Sequence, residues 1–388
     1  MAINILLLLL GLVVILFAAA LFTNAVEWLG KRLRLSEGAI GSVLAAVGTA
    51  LPETLLPVVA ILFQGGDLGK EIGTGAILGA PFMLATLAMF VTGLAAVIYR
   101  RRRPQGRDLC ITASVMRRDL GFFLVLFCGA VGASFVIPAV SPAIPPVVVR
   151  GVIGALLLGG YVLYLVLTFR GGEATEHELE GLTLRLWFMR WLIRPEDEEE
   201  PEAFHERRHA HGVATPQYRE ISTQLVLALV GIIGGAWVFV HAVGHMAAVM
   251  GVRPLVLALI IAPVATELPE KFNSVIWVRQ GKDTFALGNI TGAMVFQSSI
   301  PVTLGIWLTP WNLQASSGRI PAALASAGIA LAAAAFVWLA AGLGRFQERC
   351  ATCVRRERPC VSMPSWAMVA GLGFWLVFVW GIIAGLLR

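Results

Sequence analysis

VGTALPETLLP, residues Val47–Pro57, places a carboxylate, Glu53, beside two prolines inside a long apolar run. The same frame returns 217 residues later as VATELPEKFNS, Val264–Ser274, again with apolar flanks and again carrying Thr-x-Leu-Pro-Glu. One copy has the look of an accident. A second in register asks for a physical reason.

The surroundings are a membrane. Of 388 residues, 57% are hydrophobic and 14% charged, against about 45–50% apolar in soluble domains, and the mean hydropathy is +0.79. Windows of about 20 apolar residues, enough for a helix to cross roughly 30 Å of hydrocarbon, lie near 3–29, 37–63, 72–99, 119–140, 146–169, 220–249, 254–278, 284–309, 319–343 and 365–387. They predict an all-α polytopic membrane protein of about ten transmembrane helices. The first window ends in small residues suited to a signal cleavage point. It lacks a basic leading segment, however, and its last third belongs to the repeat described below, so it reads as a mature helix.

The formal net charge of +6 does not describe a nucleic-acid surface, because the basic residues sort by side of the membrane. Loops after odd-numbered windows hold 24 of the 30 Lys and Arg. Lys70, Arg150, Arg253, Arg319 and Arg388 are the basic residues on the other side. The positive-inside rule then predicts both termini outside and the central loop in the cytoplasm, in a bacterial or archaeal plasma membrane.

Shifted by 217 residues, FTNAVEW (Phe22–Trp28) aligns with FVHAVGH (Phe239–His245), and Thr49–Glu53 with Thr266–Glu270. Shifted by 213, GAILGA (Gly75–Ala80) aligns with GNITGA (Gly288–Ala293). The chain therefore reads as an N-terminal membrane repeat, 1–170, a cytoplasmic linker, 171–218, and a C-terminal membrane repeat, 219–388. Each repeat has five spans, an odd number, so the second enters the membrane in the opposite sense. In such inverted repeats, broken helices meet near the midplane and form a transport site. The linker contains LTLRLWFMRWLIR, read as an interfacial helix. PEDEEEPEAFHERRHAH follows it, for which a solvated linker is a better reading than a metal site.

A proline inside a helix offers no N–H to the carbonyl four residues back. Pro52 is thus expected to free the carbonyl of Gly48, and Pro269 that of Ala265. With Thr49 and Thr266, Glu53 and Glu270, each motif collects hard oxygen donors with negative charge, suited to Ca²⁺ or, with fewer charges, to Na⁺. A carboxylate at the bilayer centre costs at least ~2.5 kcal/mol, so two in register imply a compensating cation or proton. The plainer alternative is a pair of protonated glutamates bonding between helices. The GxxxG glycines Gly75, Gly79, Gly288 and Gly292 predict close helix packing. His241 and His245, four apart, suit interhelical hydrogen bonding better than a proton relay or a metal. Cys350, Cys353 and Cys360 could hold zinc with Cys110, although a basic membrane-surface loop explains the segment equally well.

At these residues the sequence resembles the cation/calcium exchanger superfamily, whose two inverted alpha repeats carry Gly-Thr-Ser-Leu-Pro-Glu followed by a Gly-x-x-x-Gly-Ser-Asn helix. GTALPE and ATELPE match the first element, within alpha repeats of about 37–99 and 254–309; the second element matches only in its glycines. The resemblance implies Glu53 and Glu270 as central Ca²⁺ ligands, with Thr49 and Thr266 at flanking cation sites. The chain departs from the pattern at Ala50, Glu267, Ala80 and Ala293, and places Leu84 and Gln297 where a polar or acidic residue is expected. Glu267 restores charge, and Lys271, four residues on, stands in the favoured order for an ion pair with it.

The functional expectation is a secondary antiporter, not an enzyme. It would need no cofactor and would exchange Ca²⁺ or another divalent cation for Na⁺ or H⁺ by alternating access, with the lipid bilayer and these ions as its partners. A relative that kept the fold as a scaffold or sensor without transport is the alternative, and a channel a third. Neither composition nor motif specifies an oligomeric state.

Overall fold

The computed structural model describes residues 2–32, 45–103, 106–170, 216–314, 321–343 and 360–385. The interfacial helix expected in the linker, the acidic stretch after it, Cys350 and Cys353 lie outside these residues, as does the start of the second window.

In the first half, α1 is Ala2–Arg32 and α2 is Ala45–Val59, which runs on into a π turn at Ala60–Gln64. Helix α3, Gly66–Met83, passes through a second π turn, Leu84–Ala88, into α4, Met89–Ile98. Helices α5, Ala113–Val140, and α6, Pro146–Arg170, complete the half. In the second half, α7 is Tyr218–Met250. The next span is divided into α8, Pro254–Thr266, and α9, Leu268–Arg279. The one after it is divided into α10, Asp283–Gln297, and α11, Ile300–Leu308. Helices α12, Ala322–Leu343, and α13, Ser365–Ile383, end the chain.

Eight of the resulting segments are long and apolar enough to cross a membrane, and two shorter apolar helices, Pro52–Gln64 and Pro254–Val264, hold the Pro-Glu motifs or end beside them. The protein is an all-α polytopic membrane protein of two inverted five-span repeats. One departure from pure helix is a small ribbon in which β1, Leu109–Thr112, pairs antiparallel with β2, Cys360–Met363.

The first helices of the two halves, α1 and α7, lie along each other. A Cβ on Gly11 would stand 2.9 Å from the Gly235 carbonyl, so the backbones nearly touch. Gln224 crosses the same seam, donating from Nε2 to the Leu21 carbonyl at 2.9 Å and to Asn24 Oδ1 at 3.0 Å. A side-chain amide can be satisfied there without bringing a charge into hydrocarbon.

The expected glycine packing is present in α3. A Cβ on Gly75 would lie 2.4 Å from the Leu255 carbonyl, and one on Gly79 2.3 Å from that of Leu259. No side chain fits in either place, so α3 of the first half is pressed on α8 of the second. Gly288 and Gly292 meet only ordinary contacts among the described residues, Val115 at 3.9 Å and Tyr164 at 3.5 Å. The π turn in α3–α4 is packed as closely: its Thr86 carbonyl faces Gly371 of α13, where there is no room for a Cβ. Irregular backbone at membrane depth is tolerated when protein buries it.

Candidate functional site

The two Pro-Glu motifs fold differently. Helix α2 is continuous through both Pro52 and Pro57, contrary to the expectation of a break in each copy. Pro52 still offers no N–H to Gly48, but the rest of the helix holds its course, and irregularity appears only at the π turn from Ala60. In the second copy the chain does break. Glu267 lies between α8 and α9 with φ −89° and ψ 7°, so Pro269 falls in the first turn of a new helix, where its missing N–H matters least. Ala265, whose carbonyl Pro269 cannot serve, is in the last turn of α8.

Glu53 is buried, and neither of its carboxylate oxygens has a hydrogen-bond partner among the described residues. With Thr266 it lines a small cavity between α2, α3 and α8, walled by Leu56, Ala80, Ala262 and Pro263. The Thr266 hydroxyl donates to the Ala262 carbonyl at 3.2 Å, which spends its proton within the helix and leaves the oxygen as an acceptor. Glu270 and Glu267 are also buried, each with one carboxylate oxygen that has no partner among the described residues. Lys271 Nζ donates to Glu267 Oε2 at 3.0 Å, with both groups buried. Glu270, Glu267 and Lys271 of the second half lie near enough to Glu53 of the first to interact with it electrostatically.

Of the residues singled out in the sequence, Glu53, Thr266, Glu267, Glu270 and Lys271 are thus gathered together. Gly48 and Thr49 are in the helical backbone of α2, and the Thr49 side chain lies outside what is described. Gln297 ends α10, buried, with no partner for its Oε1 among the described residues. Its counterpart in the first copy, Leu84, opens the π turn, so the same station is irregular in both repeats but polar in only one. Sequence reading overlooked what surrounds Gln297. Pro301 has no N–H for the Gln297 carbonyl, and Thr303 in the next turn has a buried hydroxyl oxygen without a partner among the described residues. The signal was available as Gln-Ser-Ser-Ile-Pro, a polar cluster before a proline inside an apolar run.

Away from this site, two cross-element contacts went unpredicted. Arg103 Nη2 reaches both carboxylate oxygens of Asp283 at 2.6 Å, with both side chains fully buried, and the Cys110 N–H donates to Asp283 Oδ2 at 2.8 Å. Asp119 accepts from Arg118 Nε at 3.1 Å and from Thr291 Oγ1 at 2.8 Å. His241 meets Gln64 Oε1 at 3.3 Å through Nδ1, stacks on Trp237 and meets His245 edge-on. Among the described residues, no group of three or more His, Cys, Asp or Glu side chains is placed to hold a metal ion.

The model of the sodium/calcium exchanger protein family matches residues 3–170 and 222–386. The chain belongs to this family. CaxA of Alkalimonas amylolytica, a candidate antiporter, is 25% identical over 324 residues, 83% of this chain and 86% of the relative. The sodium/calcium exchanger MaX1 of Methanosarcina acetivorans is 25% identical over 321 residues, 78% of this chain and 82% of the relative. Among solved structures, the H⁺/Ca²⁺ exchanger CAX superposes with a TM-score of 0.59 at 17% identity, covering 98% of this chain and 82% of that one. The sodium-calcium exchanger NCX_Mj superposes with a TM-score of 0.50 at 17% identity, covering 97% and 98%. At such identities the likeness speaks for the fold.

Proposed function

We propose that this member of the sodium/calcium exchanger protein family is a secondary active antiporter that carries Ca²⁺ or another divalent cation against a monovalent cation by alternating access. One observation carries the reading: Glu53 from one repeat and Glu270 from the other are both buried, near enough to feel each other's charge, and each has carboxylate oxygen that no donor among the described residues satisfies. Buried polar groups are normally hydrogen-bonded, and a carboxylate in hydrocarbon costs several kcal/mol. Oxygens held in this condition suit a cation that arrives and leaves. Thr266, the Ala265 carbonyl and Gln297 would add neutral oxygens from the second repeat, and Thr49 and Gly48 from the first.

Protons are the favoured counter-ion. Sodium wants neutral oxygens, and Ala80, Leu84 and Ala293 provide none where the family pattern has polar groups, whereas a proton needs only a carboxylate. The orientation that goes with this reading has both termini outside and the Arg-rich loops, with the linker, in the cytoplasm.

The test is ⁴⁵Ca²⁺ uptake into proteoliposomes under an imposed H⁺ gradient and, separately, a Na⁺ gradient. Uptake driven by the H⁺ gradient is expected. Uptake that follows Na⁺ at fixed pH would reassign the counter-ion. Absence of gradient-driven flux for every divalent cation tried would leave a scaffold or sensor that kept the fold.

A further inference from the structure

Helix α7 has 33 residues, about 50 Å of helix against roughly 30 Å of hydrocarbon. Its last charges before the apolar run are Arg219 and Glu220, so the about 20 residues that cross the core end near Val240. Trp237 is half exposed there, at the depth where tryptophans collect. His241 and His245 follow one and two turns later, and both are exposed. Gln64 ends the π turn of α2 just before Asp67 and Lys70, whose side chains are also exposed. All three residues are thus within reach of ions dissolved on that face of the membrane.

The contacts of His241 select its free nitrogen. Gln64 Oε1 can only accept, so the 3.3 Å contact makes His241 Nδ1 the donor and leaves the lone pair on Nε2. Trp237 stacks on the same ring, with centroids 5.2 Å apart and planes at 25°, and holds it in place. A metal-ligating histidine shows this arrangement: one ring N–H is spent on an oxygen acceptor and the other nitrogen faces the ion. The interhelical hydrogen bond and a metal role are therefore compatible. His245, four residues on, shares the helix face. Its ring centroid is 5.3 Å from that of His241, with the planes at 60°. Two imidazoles on one tetrahedral Zn²⁺, with Zn–N of about 2.0–2.1 Å, hold their centres about 5.2 Å apart.

We infer that His241 and His245 form a site for a divalent transition ion, with Zn²⁺ the type case, completed by water and oriented by Gln64 of the first repeat. Imidazole nitrogen suits Zn²⁺, Cu²⁺ and Ni²⁺, whereas Ca²⁺ takes hard oxygen ligands of the kind found at Glu53 and Glu270. The two sites differ in chemistry as well as in place, and this one does not depend on transport. The equivalent positions of the first repeat are Asn24 and Trp28, and an indole offers no lone pair. The repeat therefore supplies the site once.

The test is ⁶⁵Zn²⁺ binding to the full chain in detergent by equilibrium dialysis, with Ca²⁺ in excess to fill carboxylate sites. Histidines and cysteines elsewhere in the chain contribute equally to every variant, so the differences carry the result. His241→Gln and His245→Gln are each expected to lose one bound ion relative to the wild type. Gln64→Leu is expected to keep the ion with affinity lowered about 10–100-fold, an effect that a purely interhelical role for His241 would not produce. Zn²⁺ should also raise the thermal midpoint of the wild type more than that of His245→Gln, because it binds only the folded chain. All three residues are at least partly exposed, and should one change prevent folding, the other two still decide. Binding that His245→Gln or His241→Gln leaves unchanged would overturn the inference. Loss of the ion in the histidine variants with no effect of Gln64→Leu would mean an adventitious surface chelate only, and would overturn the site as built.

Discussion

In the first copy of the repeat, α2 absorbs Pro52 and Pro57 without a break, and a single acid, Glu53, points its unsatisfied oxygens into the cavity. In the second, the helix parts at Glu267, and an acid pair plus a lysine gather around the break. The next span repeats the contrast, a π turn at Leu84–Ala88, with Thr86 its one polar residue, against a full break at Gln297–Ser299. At that break the Ser299 hydroxyl donates to the Val295 and Phe296 carbonyls, at 3.0 Å and 2.8 Å. The lesson is that pseudo-symmetry of sequence preserves where the backbone is irregular, while the local side chains decide how irregular it becomes. At the second copy's break the Ser299 hydroxyl serves the main chain that the break exposes, and at the first copy's bulge the Thr86 hydroxyl serves the Phe82 carbonyl at 2.6 Å while the helix runs on.

The largest expected effect tests what the copies share. Glu53→Gln and Glu270→Gln should each reduce ⁴⁵Ca²⁺ exchange by about 100-fold or more, roughly 2.7 kcal/mol of ion binding, with the elution profile in detergent unchanged. Each removes a charge and almost no volume. Full transport by either variant would take that acid out of the site and break the equivalence of the copies.

Next come the contacts that only one arrangement of the halves permits. Asp283→Asn should leave the Arg103 guanidinium buried with half its partner and lower stability by about 3–5 kcal/mol, read as a fall in the thermal unfolding midpoint. An unchanged midpoint would mean that water reaches the pair and that the β1–β2 end of the molecule is open.

The asymmetric pair itself can be dissected by stability. Glu267→Gln strands a cation and Lys271→Met an anion, so each should cost more than the double change, with a coupling of about 1–3 kcal/mol. Losses that add within about 0.5 kcal/mol would show that the two are not partners. The second copy would then be no more than a decorated version of the first.

The smallest effect concerns the wall of the cavity. Gly79→Ala puts a methyl 2.3 Å from the Leu259 carbonyl; the overpacking should cost about 1–3 kcal/mol and widen the gap between α3 and α8 beside Ala80. Differential scanning calorimetry would check it, and a neutral result would mean that the halves are less tightly pressed than the geometry requires.

Much of this was legible residue by residue. The apolar windows locate the spans because a helix must satisfy its own backbone in lipid, and among the described residues all but the two interrupted ones appear as single helical tracks, the second and third each with a π turn. The Glu267–Lys271 contact was readable because one turn of helix brings residues four apart together whatever surrounds them. Gly75 and Gly79 were readable as a contact surface, although nothing in GxxxG says that the neighbour is α8. Other features were not legible. Arg103 is one of four consecutive arginines, Arg100–Arg103, with no local mark to distinguish the one that turns inward. Its partner is 180 residues away. The break expected at Pro52 is missing because a proline costs a helix one hydrogen bond and a clash, a penalty that packing on both sides can absorb.

The sequence by itself determined the membrane class, the two copies in opposite senses and the placing of an acid after the proline in each. These follow from length, hydropathy and an odd number of spans, which depend on nothing beyond the chain's own order. Tertiary structure alone decided which prolines break their helices, which arginine neutralises Asp283, and that Glu53 of one half shares its field with Glu267, Glu270 and Lys271 of the other. The reason is range. Hydropathy and i,i+4 pairing act within a span or a turn, but the charge balance of a buried site is a sum over groups more than 200 residues apart, and only the folded halves bring them near enough for Coulomb's law to count.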